Sequence, residues 1–298
     1  MPSTEQRVVV VTGAGKGLGR AYAFHLAQQG IKVIVNNRRH PGEADNDTSA
    51  MKTVTEITKL GGIAAANYAD VTQPDSGTEL VNHALDTFGA LHGIVANAGM
   101  ESVGRFEEVS TETFQQVFNT GFFGNLYLVR AAWTHWLTTG GGRAVLTTSG
   151  AGLYGNHGQA AYSAAKAAVI GLVRSLALEG QSRNIKINAV APYAYTAMTQ
   201  KYLKPSERER LSPAKVAPLI ASLLSEACSV NGEVLVSAGG LLREAITVEG
   251  EAMPLRPEIQ ETLKGLEPST TFRSANESFA HLDSLIPSGS GSDNHDKS

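Results

Sequence analysis

The feature that most limits what this chain can fold into is its first strand together with the glycine-rich turn behind it. Residues 7–11, Arg-Val-Val-Val-Val, form a β-branched run that stops at Thr12-Gly13-Ala14-Gly15-Lys16-Gly17-Leu18-Gly19, and a helix-like stretch then covers 17–29. A strand, a glycine-rich turn and a helix in that order let backbone N–H groups approach a pyrophosphate, with the helix N-terminus adding positive partial charge. The alternation continues along the chain. Strands are predicted over 32–35, 63–68, 93–96, 144–148, 186–191 and 234–237, helices over 49–60, 78–88, 113–137 and 159–180, and a loop over the Gly/Pro/Asp-rich stretch 41–47. Strands alternating with helices imply parallel strands and right-handed crossovers, hence an α/β fold with a doubly wound sheet flanked by helices on both faces. Ligands of such sheets bind beyond the C-terminal strand edges.

The 298 residues, 42% of them hydrophobic, suffice for one sizeable core. One domain is expected over 1–245, a partly helical extension over 246–287, and a disordered tail over the Ser/Gly-rich 288–298. The net charge of −3 supplies no basic field for nucleic acid or anionic lipid. With Cys228 as the single cysteine, no intrachain disulfide can form, and a reducing compartment fits best. Met1 to Gln6 lacks the apolar run of a signal peptide, and no stretch of membrane-spanning length is expected, so the expected location is cytoplasmic. No His, Cys and carboxylate group has metal-ligand spacing, and no metal is expected.

Chemistry gathers after the strands. Tyr162 and Lys166 stand four residues apart on one face of a predicted helix. A neighbouring ammonium favours phenolate, which would let Tyr162 exchange a proton with an alcohol or carbonyl oxygen near neutral pH. Ser149 follows a strand and can hydrogen-bond that oxygen; Asn97-Ala98-Gly99 and Asp70-Val71 follow two others, and Asn119 lies in the long helix expected beside Tyr162. After the second strand the chain reads Asn36-Asn37-Arg38-Arg39, with no carboxylate before Glu43. Arg38, Arg39 and Lys16 suit a 2′-phosphate, so NADP(H) is the favoured cofactor, with NAD(H) still open. Solvated surface charge is the alternative for all three cations.

Together these residues resemble the short-chain dehydrogenase/reductase family of single-domain, Rossmann-type oxidoreductases. The match rests on the Thr12–Gly19 turn, Asp70-Val71, Asn97-Ala98-Gly99, Asn119, Ser149 thirteen residues before Tyr162, and Lys166, and it covers about 7–240. The resemblance implies that Tyr162 is the general acid/base and that Ser149 polarises the substrate oxygen. It also implies that Lys166 binds the nicotinamide ribose and lowers the Tyr162 pKa, and that Asn119 supports a proton-relay water. Thr196, after Pro192, is placed to reach the carboxamide, and a homodimer or homotetramer is expected through the long helices.

The chain looks most like the (3R)-hydroxyacyl-CoA dehydrogenase part of peroxisomal multifunctional enzymes and its bacterial relatives. That likeness rests on residues 12–22, Arg130-Ala131-Ala132-Trp133, Tyr154-Gly155-Asn156, Gly158-Gln159 and Val216-Ala217-Pro218-Leu219. Asn37 departs from that group's Asp, and Tyr193-Ala194-Tyr195 adds aromatics. Tyr154, His157, Tyr193, Tyr195, Met198 and Tyr202 are the expected substrate-pocket residues, with packing of a lid helix as the alternative for Met198 and the tyrosines. The expected function is NADP(H)-dependent interconversion of a carbonyl and an alcohol. An NAD-linked 3-hydroxyacyl-CoA dehydrogenase and a catalytically silent dinucleotide binder are the alternatives.

Overall fold

The computed structural model of the chain describes residues 6–40, 42–44, 47–254, 263 and 267–285. The predicted tail, 288–298, and positions 41, 45 and 46 of the predicted loop lie outside them. The chain divides into two compact units, Met1–Ala245 and Ile246–Ser298.

The first unit runs β1 (Val8–Val11), α1 (Gly17–Gln28), β2 (Lys32–Asn36), α2 (Ser49–Lys59), β3 (Ala64–Asn67), α3 (Ser76–Phe88), β4 (Gly93–Ala96) and α4 (Thr111–Phe118). A π-helical turn (Asn119–Phe123) leads into α5 (Gly124–Thr139), β5 (Gly142–Thr147), α6 (Gly150–Tyr154), α7 (Ala160–Gly180) and β6 (Ile185–Tyr193). The unit ends with α8 (Ala217–Leu224), β7 (Val234–Ala238) and β8 (Leu241–Glu244). The eight strands stand in the order β3-β2-β1-β4-β5-β6-β7-β8. All pairs are parallel except the last, where β8 returns antiparallel to β7. Val9 pairs with Val33 of β2 on one side and with Gly93 of β4 on the other. Strand order therefore reverses at β1/β4, which opens a crevice at their C-terminal ends.

The valines of β1 explain why this strand is central. All four are buried, and alternate side chains feed opposite faces: Val8 and Val10 enter one core, Val9 and Val11 the other. The first core packs α3, α5 and α7 through residues such as Leu80, Leu128, Trp136 and Val173. The second packs α1, α2 and α8 through Tyr22, Leu26, Ile57 and Ile220, with Cys228 partly buried at its edge. Helix starts use side-chain caps where the sequence supplies them: Thr48 accepts from Met51 N before α2, and Ser110 from Thr113 N before α4. Gly89 and Gly140, with φ of 80° and 93°, end α3 and α5 in the left-handed region.

Three expectations change. The predicted helix 113–137 is two helices joined by the π-helical turn, and Gly121 and Gly124 sit where the ladder shifts. Helices α6 and α8 and strand β8 go beyond the sequence pattern; Pro218 near the start of α8 masks a helix that needs no N–H donor there. A stretch of membrane-spanning length and apolarity does exist, Ala160–Arg183. In this unit Ala165, Val169, Val173 and Ala177 of that stretch are buried in the core.

The second unit contains a two-stranded antiparallel ribbon, β9 (Glu249–Gly250) with β10 (Pro268–Thr270), and α9 (Ala275–Leu285). Ser278 of α9 donates to Glu249 Oε1 at 2.8 Å.

Helices α3 and α5 approach so closely that a Cβ built on Gly77 would stand 2.1 Å from the Tyr127 carbonyl oxygen. Gly77→Ala should therefore lower unfolding stability by about 1–3 kcal/mol through overpacking, despite a helix propensity that favours Ala by about 1 kcal/mol. Urea unfolding checks this; an unchanged midpoint means the helices separate without cost.

Candidate active site

The glycine-rich turn is held against the exit of β4 by a reciprocal set of hydrogen bonds. Thr12 Oγ1, buried, accepts from Asn97 N at 3.0 Å and Ala98 N at 3.1 Å, and Asn97 Nδ2 donates to the Thr12 carbonyl at 3.0 Å. The approach is tight enough to require glycine. A Cβ on Gly13 would lie 3.0 Å from Ala98 Cα, and one on Gly19 would lie 2.4 Å from the Gly13 carbonyl oxygen. Lys16 stands before α1 in extended backbone without a side-chain cap, so the first N–H groups of α1 face outward. Asp70 Oδ1 accepts from Thr72 N and Oγ1, and Val71 packs against Gly124 at the start of α5. Thr196 lies against Gly17: a Cβ there would stand 3.6 Å from Thr196 Cγ2.

Lys166 is buried in α7. Its Nζ donates to the Thr147 carbonyl at the end of β5 at 2.8 Å and stands 5.9 Å from the Tyr162 ring centre. A Cβ on Gly99 would lie 3.4 Å from Nζ, so the Asn97–Gly99 segment passes directly over the ammonium. Burial lowers the Lys166 pKa to about 8. Ser149 caps α6 by accepting from Ala151 N at 3.2 Å.

The Tyr162 phenol departs from expectation. Its pKa is raised, first by burial and further by Glu101, with a hydrogen bond to Ser149 acting the other way. Desolvation of the phenolate outweighs the lowering expected from Lys166, whose ammonium lies toward the ring and is itself disfavoured by burial.

Asn119 stands between α4 and α5. It opens the π-helical turn and is exposed; among the described residues no hydrogen bond joins its side chain to Ser149, Tyr162 or Lys166. Within the same turn Gly121 is buried: a Cβ on it would lie 3.7 Å from Ala165, and its carbonyl accepts from Asn125 Nδ2 at 3.0 Å.

At the end of β2, Asn37 Nδ2 donates to Ser49 Oγ at 3.0 Å and to the Arg38 carbonyl at 3.1 Å. Arg38 is exposed, and the Arg39 guanidinium stands 4.6 Å over the Tyr68 ring. Beside them is a cavity of about 450 Å³ lined by Gly15, Lys16, Gly17, Arg20, Glu43, Ser49, Lys52 and Glu56. Glu43 accepts from His40 N at 3.0 Å and Ser49 N at 3.2 Å.

The expected pocket residues divide. Tyr202 donates to Glu101 Oε1 at 3.2 Å, beside the start of α7. Tyr195 turns its ring toward Arg208, 5.5 Å away, and its N–H donates to the Leu211 carbonyl. Pro192 pairs with Ser237 within the sheet, and Tyr154, His157, Tyr193 and Met198 are exposed. Sequence reasoning missed Glu101; its nearness to Asn97-Ala98-Gly99 was the available signal.

The turn, the outward N–H groups of α1 and the close pass over Lys166 fit a dinucleotide: only glycine leaves that room, and a buried ammonium suits ribose hydroxyls. Comparison with known proteins agrees. The short chain dehydrogenase family model matches residues 7–207. A short-chain type dehydrogenase/reductase of Mycobacterium tuberculosis is 45% identical over 242 residues, covering 80% of this chain and 85% of that protein. Peroxisomal multifunctional enzyme type 2 of Mus musculus is 42% identical over 261 residues, 85% of this chain but only 35% of the mouse enzyme. A crystal structure of a short chain dehydrogenase from Mycobacterium avium superposes with a TM-score of 0.79 at 32% identity, covering 91% of this chain and 99% of that one. The chain belongs to the short-chain dehydrogenase family, oxidoreductases that act on alcohol and carbonyl groups with NAD(H) or NADP(H).

Proposed function

We propose that the chain is an NADP(H)-dependent oxidoreductase that interconverts a carbonyl and a secondary alcohol, with Tyr162 as general acid/base. The observation that supports it most is the meeting of Tyr162, Ser149 and Lys166 beside the glycine-rich turn. Ser149 Oγ holds the substrate oxygen, and Tyr162 Oη delivers a proton to it in reduction or removes one in oxidation. Lys166 binds the ribose and holds positive charge near the phenol. Bound in the cradle, the nicotinamide supplies the hydride in one direction and accepts it in the other. A raised Tyr162 pKa keeps the phenol protonated to higher pH, which suits the reducing direction.

Tyr162→Phe should cut turnover by about 10²–10⁴-fold while leaving cofactor binding nearly unchanged. A variant with near-parental turnover would overturn the assignment. Ketones, β-ketoacyl thioesters and secondary alcohols, each assayed with both cofactors, separate this reading from an NAD-linked 3-hydroxyacyl-CoA dehydrogenase and from a silent binder.

The phosphate-bearing cofactor is favoured by Asn37, which cannot repel a 2′-phosphate as a carboxylate would, and by Lys16, Arg38 and Arg39 nearby. A net selectivity of about 1.4 kcal/mol corresponds to roughly tenfold tighter NADPH than NADH. Arg38→Ala with Arg39→Ala should weaken NADPH and spare NADH in binding titrations, and Asn37→Asp should favour NADH. Glu43 supports the second reading, NAD(H), because its carboxylate lines the same cavity as Lys16. If that reading holds, the parent prefers NADH and Glu43→Gln strengthens NADPH.

A further inference from the structure

A carboxylate that the proposed reaction does not use sits at the edge of the catalytic group. Glu101 lies just past Gly99, and its side chain is only 11% exposed. Oε1 accepts from Gln159 Nε2 and from the Tyr202 hydroxyl, while Oε2 pairs with Lys201 Nζ at 3.0 Å. Three places in the fold thus meet on one carboxylate: the exit of β4, the residue that precedes α7, and the segment after β6.

That segment is folded by its own bonds. Thr199 Oγ1 donates to the Ala194 carbonyl at 2.6 Å, Gln200 N to Thr196 at 2.8 Å and Tyr202 N to Thr199 at 2.9 Å. Ala194 and Leu203 are buried at its ends, Thr196 lies against Gly17, and Lys201 and Tyr202 are exposed. The crest of this turn is joined to the body of the unit through Glu101. Charge-assisted hydrogen bonds to a nearly buried carboxylate are stronger than surface pairs, whereas the half-exposed Lys201 pair adds little.

We infer that Glu101 is the latch that holds residues 196–203 across the mouth of the site, and a positioning residue for Tyr162. The second half rests on the proposed role of Tyr162. Glu101 reaches the start of α7 through Gln159, whose carbonyl accepts from Ser163 N, next to Tyr162, at 2.8 Å. The other groups acting on the phenol are Ser149 at the start of α6 and Lys166 on α7, while Lys201, Tyr202 and Gln159 face Glu101. The negative charge of Glu101 disfavours phenolate and so keeps the proton on Tyr162.

Two variants of the full chain test this. Glu101→Ala removes both hydrogen bonds, and amide hydrogen exchange over 196–203 should quicken about tenfold, with a raised substrate KM. Glu101→Gln keeps an oxygen for Tyr202 and Gln159 but removes the charge. Exchange should fall between the parent and Glu101→Ala, because the bonds remain without their charge assistance, while the pH of half-maximal alcohol oxidation moves down. Ultraviolet titration of the phenolate, with Tyr162→Phe as the blank, reads the same downward shift without turnover. Equal exchange in the parent and Glu101→Ala overturns the latch, and a Tyr162 titration unmoved by Glu101→Gln overturns the positioning role. Neither readout needs catalysis, so an inactive parent would sink the proposed function and leave this inference to be judged by exchange and titration.

Discussion

An ammonium buried between helix and sheet is the constraint on which the site depends. Lys166 gives up water for the Thr147 carbonyl, and burial alone pulls its pKa down toward neutrality. That charge gathers three segments around it: Nζ, carried by α7, lies 2.8 Å from the end of β5 and 3.4 Å from a Cβ built on Gly99. Thr148 adds a second tie between the same elements, donating to the Lys166 carbonyl at 2.7 Å. The ammonium that stands beside the Tyr162 ring is thus also the one that ties α7 to the sheet.

A matching constraint acts on the other side of the crevice. Thr12 and Asn97 stitch the ends of β1 and β4 together where strand order reverses. Glycines at 13 and 19 make that stitch sterically feasible, and they leave backbone donors of the turn and of α1 facing the gap. Packing and ligand approach therefore demand the same residues.

Much of this is legible from local pattern. Runs such as Val8–Val11 and the turn after them need only neighbours in sequence to declare a central strand and a phosphate-type cradle, and Tyr162 with Lys166 needs only helical spacing. The rest depends on what the fold brings near. The π-helical turn interrupts the single helix predicted over 113–137, and no count of residues reveals an inserted one. The acidity of Tyr162 is set by burial, a property of the whole domain. Glu101 finds its partners 58 and 101 positions away, beyond any motif window.

The strand order carries a kinetic consequence. In the eight-stranded sheet only β7 and β8 are joined by a tight turn, through Gly239 and Gly240. Every other pairing waits for a crossover, and the central β1–β4 contact waits for two strands and three helices to be threaded first. Loop-closure entropy must be met before those pairings return any stabilisation, so the chain's high contact order favours slow assembly. The β1/β4 crevice, whose two strands are separated by β2, β3 and three helices, can therefore take shape only after all of those elements have been made.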